Sequence, residues 1–303
     1  MSLKDKTFNI VGKRKIWYGI SLLIILAGIV SFCVQGLNLG IDFTSGNYMQ
    51  LTFEKEVDVT DLRQTIGEFV EQTPSVQEES DSNTYIIRTE TMSDETSGKL
   101  LETLEEKYGA YTTDRNELVG PTIGKELVRS AVMALVIASI LMLIYITVRF
   151  KFLFGVSSII TLLHDVAVLL SVFSIFQLEV SSSFIAAILT VIGYSINATI
   201  VIFDRVRENQ PNYRSDNLDA LVNDSVNQTL ARSFNTVITT LLALFALFFF
   251  GGVTTRVFVL GLIVGIAAGG YSSVCLSGSV YRDLAARFGK GYGKKGVKQP
   301  KKA

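Results

Sequence analysis

The chain has little of what builds metal centres and covalent cross-links. Its 303 residues include two cysteines and a single histidine, His164. That inventory offers no Cys/His ligand spacing, so neither a metal nor another cofactor is expected. Residues 38–124 contain no cysteine, which excludes a disulfide scaffold there. The same stretch has no Ser/His/Asp set, metal cluster or phosphate loop, so a binding or mechanically moving module is expected rather than an enzyme domain. Net charge is missing too: 28 basic residues balance 28 acidic ones.

That zero hides a polarity. Residues 38–124 hold 18 Asp/Glu against 6 Lys/Arg, and the remainder holds 10 against 22. Hydrophobic residues make up 49% of the chain and the mean hydropathy is +0.38, more apolar than a soluble protein of this size. Six runs reach the ~20 residues that cross a bilayer as helix: 16–35, 127–148, 152–178, 183–203, 234–250 and 257–280. The first exceeds the apolar core of a cleaved signal and no clear small-x-small site follows it, so it reads as a span. Cys33 and Cys275 fall inside spans and are expected as buried small apolar side chains.

Positive charge orients the spans. Lys4, Lys6, Lys13, Arg14 and Lys15 precede the first, and Arg149 and Lys151 follow the second. Arg205, Arg207, Arg214 and Arg232 lie between the fourth and fifth, and Arg282 to Lys302 follow the sixth. All fall on one side, taken as cytoplasm, which puts both termini there. The basic tail reads as topology and contact with anionic membrane lipids, with no specific nucleic acid. The expected domains are a basic N-terminus (1–15), span one (16–37), an acidic extracytoplasmic domain (38–124), spans two to six (125–280) and a basic tail (281–303). A cytoplasmic linker, 204–232, interrupts the spans. In it, Leu218, Leu221, Val222 and Val226 have the spacing of a helix lying on the membrane surface or docked on a partner.

In the external stretch, 47–53 alternates as a strand, and 58–72 sets Leu62, Ile66, Phe69 and Val70 on one helical face with Thr60 as N-cap. Segments 75–79 and 84–89 read as a hairpin around Asp81-Ser82-Asn83. A second helix (94–108) ends at Gly109, and a last strand covers 110–118. The order β-α-β-β-α-β is the ferredoxin-like split arrangement. The fold class is thus a polytopic α-helical membrane protein with a small α+β domain between its first two spans. Gly40, Asp42 and Gly46 at its entrance and Gly120, Pro121 and Gly124 at its exit read either as tight turns or as hinges.

Polar residues inside the spans are the candidates for function, because lipid offers them no hydrogen-bond partners. The stretch from Tyr194 to Glu208 places Tyr194, Ser195, Asn197 and Thr199 at the end of an apolar run before a charged cluster. Such a helix faces a partner helix or a pathway. Rim salt bridging accounts for Asp204, Arg205, Arg207 and Glu208. His164 and Asp165 lie near the middle of span three, either as a packing pair or as proton carriers. Gly261, Gly265, Gly269 and Gly270 in span six suit close helix packing, within the chain or against a partner.

Taken in order, GIDFTSG, VGPTIG, LLHDVAVLLSVFSIF, GYSINATIVIFDRVREN, ARSFNTVITTLLALFALFFFGG and GGYSSV resemble the SecF family of bacterial protein-export membrane proteins, in the resistance-nodulation-division superfamily. The resemblance implies a SecD partner completing a twelve-helix unit and association with the SecYEG channel and SecA. It also implies proton-gradient-assisted late steps in moving a preprotein across the cytoplasmic membrane. The alternative is a small-molecule or lipid exporter of the same superfamily; against it, about 85 residues are few for a porter domain. Many family members carry an aspartate as proton carrier in the fourth span, where this chain has Ala198. Three explanations stand: a carboxylate supplied by SecD, which is preferred; another carrier here, His164 or Asp165 first; or altered coupling. Arg232 matches a family arginine, either balancing a partner carboxylate or anchoring the interface. A serine protease built on Ser195 and His164 lacks G-x-S-x-G and an oxyanion loop.

Overall fold

The computed structural model describes residues 8–78, 83–213 and 217–288. Lys4, Lys6, Asp81, Ser82, Arg214 and the basic tail beyond Phe288 lie outside them. Two compact units emerge: Leu39–Met133, and the remainder of the chain. Among the described residues, six helices are long and apolar enough to cross a membrane.

The smaller unit holds β1 (Gly46–Phe53), α3 (Val59–Gly67), β2 (Ser75–Glu78), β3 (Thr84–Thr89), α4 (Asp94–Tyr108) and β4 (Tyr111–Val119), preceded by a single turn, α2 (Ile41–Thr44). The sheet order is β2-β3-β1-β4 with every pair antiparallel. Alternation along the strands makes one apolar face. Met49, Leu51, Phe53, Tyr85 and Ile87 point to a core closed by Leu62 and Ile66 of α3 and Leu100 and Leu104 of α4. On the opposite face, Arg88 and Arg115 lie over the Tyr48 ring at 5.8 and 4.9 Å.

Three local details differ from expectation. The cap of α3 is Asp58, not Thr60, because the Asp58 carboxylate accepts from the N–H groups of Thr60 and Asp61 at 2.8 and 3.0 Å. The helix stops at Gly67, and Phe69 and Val70 reach the core from the turn beyond it. The hairpin register runs from Ser75 opposite Arg88 to Glu78 opposite Tyr85, with its turn outside the described residues.

At the entrance, Gly46 has φ 136°, and a Cβ there would strike the Thr89 carbonyl. Only glycine fits where β1 starts beside β3. Gly124 is close to Ser45 Oγ, 2.9 Å from where its Cβ would be. Gly120 has open space around it, and Pro121 starts the helix Pro121–Arg149, a position where a missing N–H costs nothing. The entrance glycine is therefore set by packing and the exit proline by helix initiation.

The larger unit contains α1 (Arg14–Gln35), the later turns of α5 (Pro121–Arg149), α6 (Phe152–Ile175), α7 (Ser182–Asn209), α8 (Leu218–Phe250), α9 (Val253–Ser272) and α10 (Gly278–Phe288), the last two joined by a wide π turn, Ser273–Ser277. Buried side chains concentrate on α6, α7 and the α9–α10 segment, whereas α1, α5 and α8 expose most of their apolar residues. Leu22, Leu23, Leu141, Ile144, Leu242 and Phe249 are among these, as suits helices whose surroundings are hydrocarbon. Cys33 is exposed on the outer face of α1 and Cys275 is half-buried, so Cys33 is not the core residue expected.

The linker helix is also corrected. Residues 218–231 form no separate surface helix; they are the first turns of α8, whose 33 residues extend about 50 Å against roughly 30 Å of hydrocarbon. Leu221, Val222 and Val226 are buried with Phe154, Phe203, Val206 and Tyr281. Phe154 and Tyr281 stack with ring centroids 4.0 Å apart. The same end is tied by polar contacts: Asn223 accepts from the Ile10 N–H at 2.8 Å, Arg282 pairs with Asp219, and Arg14 lies 3.2 Å from Asp283.

Candidate functional site

Helix α7 sorts its polar residues by angle, at about 100° per residue. Tyr194 faces α8, where its hydroxyl donates to the Thr236 carbonyl at 2.9 Å and meets the Thr240 hydroxyl at 2.6 Å. Ser195 and Thr199 are one turn apart on the inner face and both are buried. Asn197 is exposed and Ala198 half-buried. Arg232 of α8 is exposed as well. The sequence groups the α7 residues in one motif, and the fold points them in three directions.

The inner face leads to Asp165. This carboxylate is 1% exposed and sits mid-helix in α6, where an unpartnered charge is costly. Its Oδ2 accepts from Ser195 of α7 at 2.5 Å and from Ser272 of α9 at 2.8 Å. Its Oδ1 lies 2.9 Å from Nδ1 of the adjacent His164. Successive residues on a helix diverge, yet the imidazole turns back to meet its neighbour. His164 Nε2 then reaches Ser21 of α1 at 2.9 Å. Ser21 is 3.2 Å from the Tyr271 hydroxyl, which donates to the Trp17 carbonyl at 2.8 Å. Four helices thus contribute to one continuous polar chain. Among the described residues, the only potential counter-ion of Asp165 is His164.

Close helix approach makes these bonds possible. A Cβ on Gly261 would lie 3.4 Å from that of Ala187, one on Gly265 would overlap Val191, and one on Gly269 would lie 3.0 Å from that of Ser195. The glycine stripe of α9 therefore lies along the stripe Ala187-Val191-Ser195 of α7, while Gly270 faces Val237 of α8. Directly after Ser272 the helix widens into its π turn, a feature that recurs at functional sites. The Ser157 hydroxyl of α6 donates to the Ser277 carbonyl there at 2.9 Å.

Ser21, Tyr271 and Ser272 are members of the cluster that sequence reasoning missed. Tyr271 and Ser272 stand in the GGYSSV block and interrupt an apolar span, which was a signal; Ser21 offered little. At the rim, Asp204 pairs with Arg207 and Arg205 with Glu208, each at 2.9 Å.

Protein-family models match the chain twice: "Protein export membrane protein SecD/SecF, C-terminal" over residues 83–287 and "SecD/SecF GG Motif" over residues 30–57. The chain belongs to the SecD/SecF protein-export family. Relatives described as protein translocase subunit SecF include one from Sebaldella termitidis, 44% identical over 87% of each chain. Another, from Acidaminococcus fermentans, is 40% identical over 91% of this chain and 97% of that one. The crystal structure of SecDF from Thermus thermophilus, a translocon-associated membrane protein, superposes with a TM-score of 0.86 at 38% identity. That match covers 95% of this chain and 40% of SecDF. A second SecDF structure, in a form called super-membrane-facing, superposes at 0.68 over the same share. The GG-motif match takes in Gly40 and Gly46, and the longer match takes in the whole Asp165 cluster except Trp17 and Ser21 of α1.

Proposed function

We propose that this chain is the SecF-type subunit of an accessory unit of the bacterial protein-export machinery. It works with a SecD-type chain and helps preproteins cross the cytoplasmic membrane, drawing on the proton gradient in late steps. The observation that carries this reading is the superposition of nearly the whole chain on two-fifths of a fused SecDF chain at 38% identity. The rest of such a unit is left for a partner. The apolar outer faces of α1, α5 and α8 suit lipid and partner helices as their surroundings. Orientation by positive charge puts both termini in the cytoplasm and the acidic domain outside, and the joints around Gly40 and Gly120 serve as its hinges.

On this reading SecYEG, SecA and the preprotein are partners of the assembled unit. Ala198 holds no proton, so the carboxylate facing Asn197 and Arg232 across the subunit boundary comes from the SecD-type chain. The test is affinity purification of the full chain from membranes, combined with an export assay after deletion. Recovery of the SecD-type chain and channel, with slowed preprotein export, supports the proposal. Unchanged export together with altered drug or lipid efflux would replace it by the exporter alternative.

A further inference from the structure

The directions of the hydrogen bonds in the buried cluster follow one after another from donor and acceptor chemistry. The Trp17 carbonyl only accepts, so the Tyr271 hydroxyl donates to it. With its one proton committed, Tyr271 accepts from Ser21. The one proton of Ser21 is then committed too, so at its contact with His164 the serine oxygen accepts and Nε2 carries hydrogen. On the other side of the ring, Nδ1 and Asp165 Oδ1 are at bonding distance, 2.9 Å, which requires a proton between them. Only two forms satisfy all of these contacts: imidazolium beside carboxylate, or neutral imidazole beside carboxylic acid. Both contain the same number of protons and carry no net charge.

We infer that the His164–Asp165 pair is a proton-binding site inside this subunit, occupied in the arrangement seen here and emptied only when Ser21 reverses its hydroxyl. Emptying leaves a net negative pair. The remaining imidazole proton moves to Nδ1 to face the carboxylate, and bare Nε2 then needs a donor. Ser21 is the one hydroxyl bonded to it, and by turning it gives up its bond to Tyr271 or forces Tyr271 to release the Trp17 carbonyl. The proton is taken from water and returned to water, with no other reactant. Occupancy is thereby coupled to contacts that hold α1 against α6 and α9.

The surroundings contain few competing charges. From α1 comes Ser21. From α7 comes Ser195, and from α9 come Tyr271 and Ser272, with Cys275 of the π turn near Tyr271. Among the described residues no arginine, lysine or second carboxylate bonds to the pair. A proton at this site leaves the low-dielectric interior uncharged, and its loss leaves a buried charge held by Ser195 and Ser272.

The use of this site in export rests on the function proposed above; its existence does not, and the experiment separates the two. His164 is the single histidine of the chain, so nitrogen-15 histidine labelling of the full chain, purified in detergent without a histidine tag, gives one imidazole to follow by NMR. The expected result is an Nε2 that carries hydrogen at neutral pH. Tyr271→Phe frees Ser21 to donate to Nε2, so at the same pH the ring hydrogen is expected on Nδ1 instead. A bare Nε2 in the unmodified chain at neutral pH overturns the assignment without any variant having to fold. An Nε2 that keeps its hydrogen in folded Tyr271→Phe overturns it as well. A ring hydrogen placed as expected in a chain that does not support export would refute the export reading alone.

Discussion

Ser195 of α7 donates a 2.5 Å hydrogen bond to Asp165 of α6, joining residues thirty positions apart in the chain. Both belong to family blocks, yet they stand in different ones, and α9 completes their geometry. Gly269 lets that helix come close enough for Ser272 to donate to the same oxygen. The residue chemistry of the cluster and the close packing of its helices depend on each other.

Asp165→Asn keeps the volume and the acceptor oxygen while removing the charge. It is expected to abolish the gradient-dependent part of preprotein export while leaving assembly with the SecD-type partner intact. The measurement is export in membrane vesicles with and without a protonophore, beside co-purification. An undiminished response to the protonophore would remove Asp165 from the mechanism.

Gly265→Val tests the helix contact. The new side chain meets Val191, and overpacking of this kind costs about 1–3 kcal/mol. Thermal unfolding of the full chain in detergent is expected to shift down, and export with it, because α7 carries Ser195. Gly193→Ala is the control: nothing lies within 4 Å of the added methyl, so the isolated chain keeps its midpoint.

The external domain has a pH response of its own. Backbone N–H groups of Asp61 and Thr60 hold the Asp58 carboxyl below the usual carboxylate range. Bonds from Lys107 and Tyr108 do the same for Asp61. Depressed values in the folded state mean that their stabilisation is complete above the unfolded carboxylate value of about 4 and is lost as pH falls through the folded values. Hydrogen exchange of the α3 amides is expected to accelerate across that window. Asp58→Asn, which caps without titrating, should flatten the dependence; equal steepness would show that other groups control it.

Asn197→Leu addresses the outer face of α7. Because Asn197 is exposed, the isolated chain is expected to change by no more than about 0.5 kcal/mol. Recovery of the SecD-type partner in co-purification should fall. Full recovery would mean that this face looks into lipid.

Much of the architecture was legible because it rests on local rules. Long apolar runs mark spans, alternation marks β1 and β3, and the heptad-like spacing of Leu100 and Leu104 marks the buried face of α4. The errors arose where one local rule met a competing one. Asp58 outcompeted Thr60 as a cap because its carboxylate reaches two amides. The turns 218–231 read as a surface helix because amphipathic spacing cannot distinguish lipid from a neighbouring bundle.

By itself, the sequence determined that this chain makes six membrane helices with a small acidic α+β domain inserted between the first two, because hydrophobic length, strand alternation and glycine or proline placement act over a few residues. It also determined that position 198 cannot bind a proton. Only the tertiary structure decided which polar residues meet. Helix rotation sends Tyr194, Ser195 and Asn197 to three environments. The approach of α1 and α9 brings Ser21, Tyr271 and Ser272 to a histidine–aspartate pair that periodicity alone left without partners. Hydrogen bonds depend on distances of a few tenths of an ångström, and those are fixed by packing between elements remote in sequence.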